Sequence, residues 1–486
     1  MSAVNKKRQG RGANKTTFFD RVGKAFSEFG KRFVDGSIGT KLSHFIFGAG
    51  NIYHRQYIKG ILFFLIQAAI LFVMIFCPSI NGTPYGYKAL LNLSLKNVYE
   101  GGEFDPETGH FMTGSDCKLM ILFGFVTIAL IIIYFLVWNM NIASSYKADM
   151  DRKVGKKPTT FKEDLKELLD GKFHVTMLTP TCIAATVFTI LPTIFMIALA
   201  FTTYNDQDMN DLGTNLFHWN GLQNFQAVFT GEGSLGMEIK ARFLPVLGWT
   251  FIWAIFATLT CYFGGIILAL LINKQGLKGK KIFRTVFIFT IAVPQFISLL
   301  AVRNLLGEYG PFNALLMKAG IIDAPVGFLG LKTSDSELLA KIMVILVNMW
   351  VGIPYTMLMT SGILMNIPTD LYEAGRVDGA STVKMFFKIT LPYVIFITTP
   401  YLIGSFIGNI NSFNTIFLLT GGGPTYTGYQ AGGTDLLVTW LYKVTIDQGS
   451  YNTGAVIGIF TFLITATITL VTYRRSRAYN EEDTFQ

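Results

Sequence analysis

The chain has 486 residues and a formal net charge of +10, with 51% hydrophobic residues, only 15% charged residues and 43 phenylalanines. That much apolar surface exceeds what a soluble core of this length buries, so composition excludes an ordinary soluble domain and points to an integral membrane protein. The basic excess does not mark a nucleic-acid binder, because lysine and arginine concentrate in alternate loops between apolar runs.

Residues 1–57 form a basic amino-terminal segment without an apolar stretch long enough for a cleavable signal. Within it Phe18, Val22, Phe26, Phe29 and Phe33 recur at helical spacing among Lys15, Arg21, Lys24, Lys31 and Arg32. That pattern fits a helix lying along the inner membrane surface, a helix packed on a cytoplasmic loop, or a disordered tail. Two predicted spans follow in residues 58–140, near Gly60 to Cys77 and Leu119 to Trp138, and then a basic loop at 141–175. Residues 176–475 hold six more, near Met177 to Phe201, Val246 to Ile272, Phe283 to Val302, Lys341 to Ser361, Leu391 to Ile410 and Gly454 to Tyr473, before a tail at 476–486. Each run is long enough, or nearly so, to cross about 30 Å of hydrocarbon as a helix. The predicted fold class is all-α with eight transmembrane helices. Pro294 interrupts the fifth, and Pro400, Gly404 and Gly408 interrupt the seventh.

Loop charge orients these spans. The amino-terminal segment, the loop with Lys153, Lys156 and Lys157, the loop with Lys278, Lys280, Lys281 and Arg284, and the tail with Arg474, Arg475 and Arg477 fall on one side when eight crossings are counted. Acidic Glu100, Glu103, Asp105, Glu107, Asp206, Asp208, Asp211 and Glu232 fall on the other. By the positive-inside rule the basic side is cytoplasmic, which places both termini there.

Chemistry-bearing motifs are scarce. Cys77, Cys117, Cys182 and Cys261 have no metal-ligand spacing, although Cys77 and Cys117 lie toward the outer face and either pair or stand alone. Gly276-Leu277-Lys278-Gly279-Lys280-Lys281 lacks the glycine, lysine and hydroxyl spacing of a triphosphate loop and reads as an inside-facing basic loop. Gly421-Gly422-Gly423-Pro424 reads as a chain reversal. With no nucleotide or metal motif in the chain, no bound cofactor is expected, and uphill transport would draw on an ion gradient or a partner.

The stretch between the sixth and seventh predicted spans is the most specific. Asp370 and Glu373 are placed for a reciprocal helix cap, Gly379 suits a left-handed stop, and a second helix beginning near Ser381 leads through Phe386, Phe387 and Ile389 into the membrane. Leu371, Ala374, Gly375 and Asp378 share one face of the first helix, where small residues admit a close partner.

Glu373-Ala374, Gly379, and Ile389-x-Leu391-Pro392 resemble the signature loop of permease subunits of bacterial ATP-binding-cassette importers, with Gly375 standing where alanine is usual. The similarity extends from about Thr176 to Tyr473 and points to the maltose and maltodextrin type of the carbohydrate branch. It rests there on Trp350 to Tyr355, Ser405 to Phe413, Gly422-Gly423-Pro424 and Thr434-Asp435-Leu436-Leu437. The resemblance implies a type I importer fold in a bacterial plasma membrane, with the loop at 368–392 as the coupling element. It also implies a second, different permease chain, two ATPase subunits that carry ATP and magnesium, an extracellular sugar-binding protein and an oligosaccharide substrate. The third external loop, about Tyr204 to Pro245, is too short for the folded domain inserted there in the best-known enterobacterial member.

Substrate contacts have a separate basis. Ser405, Asn409 and Ser412 align along one side of the seventh predicted helix, and Trp350 and Tyr355 on the sixth supply rings for the apolar face of a sugar, with Gly352 permitting close approach. The same polar residues equally suit hydrogen bonds between membrane helices. The resemblance adds that Gly352, Tyr355, Ser405, Asn409 and Ser412 match sugar-contact positions of the maltose type. Arg303 is expected to snorkel or pair with Glu308, with a gating role as the other reading. An ion-coupled carrier or channel is the alternative function, but it calls for intramembrane carboxylates, and the predicted span centres are nearly free of them. A membrane transferase calls for clustered acids or histidines, whereas His44, His54, His110, His174 and His218 are dispersed.

Overall fold

The computed structural model describes residues 27–80, 83–95, 116–205, 217–231, 233–274 and 277–475. Phe18, Val22 and Phe26, the acidic residues Glu100 to Glu107, Asp206 to Asp211 and Glu232, and Arg477 lie outside them. Contacts divide the chain into two compact units, Met1–Met196 with Gly213–Phe217, and Ile197–Leu212 with His218–Gln486. The sequence division at 176 follows span number rather than contact, so the two divisions differ over residues 176–196.

The described chain is helical apart from a ribbon of two short antiparallel strands, Ser79–Ile80 and Thr83–Pro84. Among the described residues seven helices are long and apolar enough to cross a membrane, or eight when a bent pair counts as one span. Helix α1 covers 27–34, α2 Ile38–Leu42, α3 Ala49–Tyr53, α4 Tyr57–Phe76, α5 Tyr87–Asn92, α6 Cys117–Lys153, α7 Phe161–Leu169 and α8 Phe173–Leu199. Then come α9 Gln223–Thr230, α10 Gly233–Asn273, α11 Lys280–Ala292, α12 Gln295–Leu305, α13 Pro311–Lys318 and α14 Glu337–Leu364. The series closes with α15 Thr369–Val377, α16 Thr382–Ile410, α17 Phe413–Leu419, α18 Leu437–Tyr442 and α19 Tyr451–Arg475.

The first unit encloses a bent segment, α2 and α3, against the spans α4 and α6. Short helices leave peptide groups unpaired, and polar side chains on the two spans pair with several of them. Gly48 N donates to Asn141 Oδ1 at 2.8 Å, Asn141 Nδ2 donates to the Ser43 carbonyl at 2.8 Å, and Phe47 N donates to Gln67 Oε1 at 2.8 Å. Ser37 N donates to Asp149 Oδ2 at 2.8 Å. Gly48 sits at φ 79° with its backbone against Gly60, so a side chain at either position would collide with the other. Of the predicted amino-terminal pattern, Phe29 and Phe33 fall on α1 and pack edge-on against His44, with Phe29 also meeting Trp138. This part of the segment therefore packs on the unit itself. Cys77 and Cys117 are free thiols, so the pairing alternative is not realised.

In the second unit α10 packs along α14. Gly264 and Gly265 on α10 face Ile353, Thr356 and Met357, and Gly352 on α14 faces Cys261, where a methyl group would come within 2.5 Å of the sulfur. Small residues bring two membrane helices close enough for dispersion to hold them. Around this seam Trp249, Trp253, Leu299, Val344, Ile416 and Leu436 form a buried cluster joining α10, α12, α14, α17 and the loop before α18. The expected fifth span is two helices, α11 and α12, bent by 94° at Pro294. Pro294 lacks the N–H that would continue the ladder and becomes the residue preceding α12. The seventh, by contrast, runs unbroken through Pro400, Gly404 and Gly408; its irregularity is a π-helical turn at Phe386–Thr390.

The reversal at Gly421-Gly422-Gly423-Pro424 is built around buried carboxylates. Asp435, fully buried, accepts from Gly432 N at 2.7 Å and Thr439 Oγ1 at 2.8 Å and pairs with Lys443 at 2.7 Å. Glu238 accepts from the Gln430 and Ala431 amides at 2.8 and 2.9 Å. The Tyr426 hydroxyl donates to Glu337, and burial together with that carboxylate pushes the phenol's pKa up.

Two stability predictions follow from these groups. Asp435→Ala leaves the Lys443 ammonium buried without its partner and should cost about 3–5 kcal/mol, read as a lower thermal midpoint in detergent; an unchanged midpoint would mean the pair is not holding the loop. His54 has its pKa lowered from 6.5 by burial and then by the Arg152 charge, against an upward pull from Asp149. The folded state therefore binds that proton less readily than the unfolded state, so this contribution is complete above about pH 6.5 and shrinks as pH falls below it. Melts at pH 7.5 and 5.5 should differ, and His54→Gln should reduce the difference; an identical acid slope in the variant would assign it to another group.

Candidate functional site

The second unit contains a cavity of about 410 Å³ bounded by α10, the α11–α12 break, α14 and α16. Every residue from Thr290 to Gln295 lines it, together with Ser298. A helix end leaves peptide groups without intrahelical partners, so the bend supplies polar backbone to a space otherwise walled by membrane helices. Gln295 opens α12, and its Nε2 donates to Thr415 Oγ1 at 3.4 Å.

Of the residues predicted for substrate contact, Gly352, Tyr355, Ser405 and Asn409 line this cavity together. Tyr355 stacks on Tyr401 at 6.0 Å between ring centroids, and the Tyr401 hydroxyl lies 3.2 Å from Thr356 Oγ1. Asn409 Nδ2 donates to Thr258 Oγ1 at 2.9 Å, while its main-chain carbonyl accepts from Trp253 Nε1 at 3.0 Å. Asn409 thus joins α16 to α10, as the interhelical reading expects, and also lines the cavity. Ser405 makes no side-chain hydrogen bond among the described residues and is a free donor and acceptor at the cavity.

Trp350 and Ser412 are not among the lining residues. Trp350 is 61% exposed. At 100° per residue, two positions turn it to roughly the far side of α14 from Gly352. Ser412 follows the end of α16 and its Oγ donates to Thr415 Oγ1 at 3.1 Å, the hydroxyl that also accepts from Gln295. Arg303 donates to the Leu418 carbonyl at 3.3 Å and fastens α12 to α17, whereas Glu308 pairs with Lys332.

Sequence reasoning missed Gln295, Ser298, Asn348 and Tyr401. The signal available for Gln295 and Ser298 was Pro294 itself, because a proline-broken membrane helix tends to face a cavity. Tyr401 lies four residues before Ser405 and so shares its face.

At the other end of α16 stands α15, carrying Asp370, Leu371, Glu373, Ala374, Gly375 and, at its end, Asp378 and Gly379. Pro368 takes the cap position, and the expected reciprocal cap by Asp370 and Glu373 is not formed, because the helix starts at Thr369, two residues earlier than a cap at Asp370 requires. Asp370 instead lies in the first turn, where its charge favours the helix dipole. Gly379 has φ 70° and makes the left-handed stop, and Ser381 caps the next helix by accepting from Lys384 N. Asp370, Leu371, Glu373, Ala374 and Asp378 are exposed. Gly375 faces Met385 and Ile389 of its own chain. A methyl group there would meet them at 3.4 to 3.5 Å, ordinary contact, so the alanine usual at this position would fit. Tyr372 completes the anchor, with its hydroxyl 2.9 Å from Thr390 Oγ1.

Residues 261–478 match the family described as binding-protein-dependent transport system inner membrane component. The chain is similar to the galactooligosaccharides transport system permease protein GanP of Bacillus subtilis, 30% identical over 437 residues that cover 90% of this chain and 96% of that protein. It is likewise similar to the maltodextrin transport system permease protein MalC of Streptococcus pneumoniae, 30% identical over 443 residues, covering 90% and 95%. Similarity to the maltose/maltodextrin transport system permease protein MalF of Escherichia coli is 36% over 265 residues, covering 53% and 49%. Among solved structures, a chain of a bacterial ABC transporter that imports the acidic polysaccharide alginate superposes with a TM-score of 0.51 at 22% identity, covering 65% of this chain and 98% of that one, a likeness of fold.

Substitutions at the cavity should separate packing from contact. Gly352→Val drives a side chain into Cys261 and should cost about 1–3 kcal/mol through overpacking, whereas Ser405→Ala removes a hydroxyl with no partner and should leave the melting temperature unchanged. Thermal melts of both variants check this; equal destabilisation would show Ser405 to be structural.

Proposed function

The chain belongs to the inner membrane components of binding-protein-dependent transport systems, and from that premise we propose that it forms one half of the translocation path of an ATP-driven oligosaccharide importer, of maltodextrin or a related sugar. A single arrangement carries this reading. One helix, α16, joins the exposed peg α15 at its start to the cavity residues Tyr401, Ser405 and Asn409 near its end. From Thr390 to Ser405 is about 22 Å at 1.5 Å per residue, a distance that takes a displacement from outside the membrane to its interior.

The cavity chemistry suits a neutral sugar. Hydroxyl and amide groups of Ser405, Asn409 and Gln295 match sugar hydroxyls, and the Tyr355 and Tyr401 rings match the apolar face of a pyranose. A maltodextrin is longer than a space of 410 Å³ holds along its whole length, so the site grips part of the chain and a second, different permease subunit completes the path.

In the proposed cycle, two ATPase subunits bind ATP and magnesium and close, the α15 peg moves with them, and α16 tilts so that the cavity opens to an extracellular sugar-binding protein. Hydrolysis reverses the tilt and releases sugar inward. This chain performs no covalent step. Its contribution is a rigid lever and a polar pocket in a multi-pass membrane protein whose basic side, with both termini, faces the cytoplasm.

Reconstitution of the four-subunit assembly with its binding protein tests the coupling role. Glu373→Ala and Gly379→Val should each lower sugar uptake at least tenfold while ATP hydrolysis continues or loses its stimulation by the binding protein. Tight, stimulated coupling in both variants would remove α15 from the mechanism. In the same vesicles Ser405→Ala with Asn409→Ala should raise the KM for uptake by roughly 5- to 30-fold, as the loss of one or two hydrogen bonds of about 1 kcal/mol each implies.

A further inference from the structure

The first unit contains a second cavity, of about 580 Å³, which shares no lining residue with the first. One side is the chain from His54 to Lys59, where α3 ends and the first span begins; the other is the turn from Gly155 to Phe161 with Arg152. No carboxylate lines it. Among the described residues Arg55, Arg152, Lys156 and Lys157 form no ion pair, while Lys59 is held by Asp164 at 2.7 Å. Like charges gathered around one concavity repel each other and raise the potential inside it, which a bound anion relieves.

One observation at the cavity wall points to a ligand. His54 is 3% exposed, lines the cavity, and its Nδ1 has no hydrogen-bond partner.

The rim says what kind of anion. Tyr57 and Ile58 beside the cavity are exposed at the start of a membrane span. From the opposite lip runs α7, opened by a reciprocal cap between Thr160 and Glu163. Phe161, Leu165, Leu168 and Leu169 lie on one face of it, all exposed, with Lys162, Glu163 and Lys166 on the other. A helix of that pattern lies in the headgroup layer of a bilayer. A free phosphate ester has the chemistry for the cations but would leave this apolar face in water.

We propose that the cavity binds the phosphate headgroup of an anionic phospholipid, with Arg55, Arg152, Lys156 and Lys157 around the phosphate and the apolar face of α7 along the acyl boundary. Basic pockets beside membrane helices bind such headgroups through the same combination of charge and depth.

Native mass spectrometry of the assembled transporter, titrated with phosphatidylglycerol or phosphatidylcholine in detergent, tests the proposal. Wild type should retain phosphatidylglycerol and not phosphatidylcholine, and raising the salt tenfold should weaken retention. The triple variant R152Q/K156Q/K157Q should lose at least tenfold in affinity, K156R/K157R should keep it, and K278Q/K281Q in another basic loop should match wild type. Leu165→Ser with Leu169→Ser should weaken lipid binding without changing any binding of inorganic phosphate. Equal retention by wild type and the triple variant overturns the site, as does salt-insensitive retention by wild type should the triple variant fail to assemble. Complete displacement of the lipid by an equal concentration of inorganic phosphate overturns the lipid in favour of a free anion.

Discussion

A polar cavity inside hydrocarbon exists only where every peptide group bordering it has water or protein to bond with, and this one constraint shapes the second unit. The bend at Pro294 opens the backbone at the cavity, and the surrounding helices must then exclude lipid from it. They do so by close approach. Gly264 and Gly265 let α14 settle on α10, Gly352 lets the seam continue past Cys261, and Trp253 and Thr258 on α10 hold Asn409 of α16. Removing the close approach would separate the walls, and the broken helix would face the acyl chains.

The proposed mechanical link runs through the same helices. α15 is fastened to α16 through Tyr372 and the small contact of Gly375, and α16 runs without a break to the cavity. A helix transmits displacement along its axis because its hydrogen bonds lie parallel to that axis. The π-helical turn at Phe386–Thr390 sits at the junction and is the place where direction can change. The first unit solves the constraint differently: its bent segment is capped by Asn141, Gln67 and Asp149 from neighbouring spans, and its charges collect on one side around a separate pocket.

Much of this was legible in the residues. The apolar runs marked the spans because nothing else of that length and composition is stable in water, and the left-handed stop at Gly379 and the helix opening at Ser381 followed from local backbone preference. Four of the six predicted contact residues meet at one cavity because spacing of three and four on a helix survives folding unchanged. Trp350 and Ser412 do not line it, since a motif does not say how a helix is rotated about its axis or where it ends. Gly375 faces its own chain for the same reason: the face it shares with Leu371 is broad, and only the neighbouring helix chooses which part to cover.

The sequence by itself determined the membrane class, the number of hydrophobic crossings to within the bent pair, the polar helix-turn-helix between two spans, and the family signature it carries. These depend on the solvent a residue prefers and on dihedral angles, both of which are local. Tertiary structure alone decided that the fifth span is folded by 94° at Pro294, that Gln295 and Tyr401 join Ser405 and Asn409, and that Asp435 and Glu238 are buried under a surface loop. The joining of Gln295 to Thr415, of Asn409 to Thr258 and of Glu238 to the Gln430 amide spans 120, 151 and 192 positions of sequence, and no short-range preference encodes which distant partner will supply such a hydrogen bond.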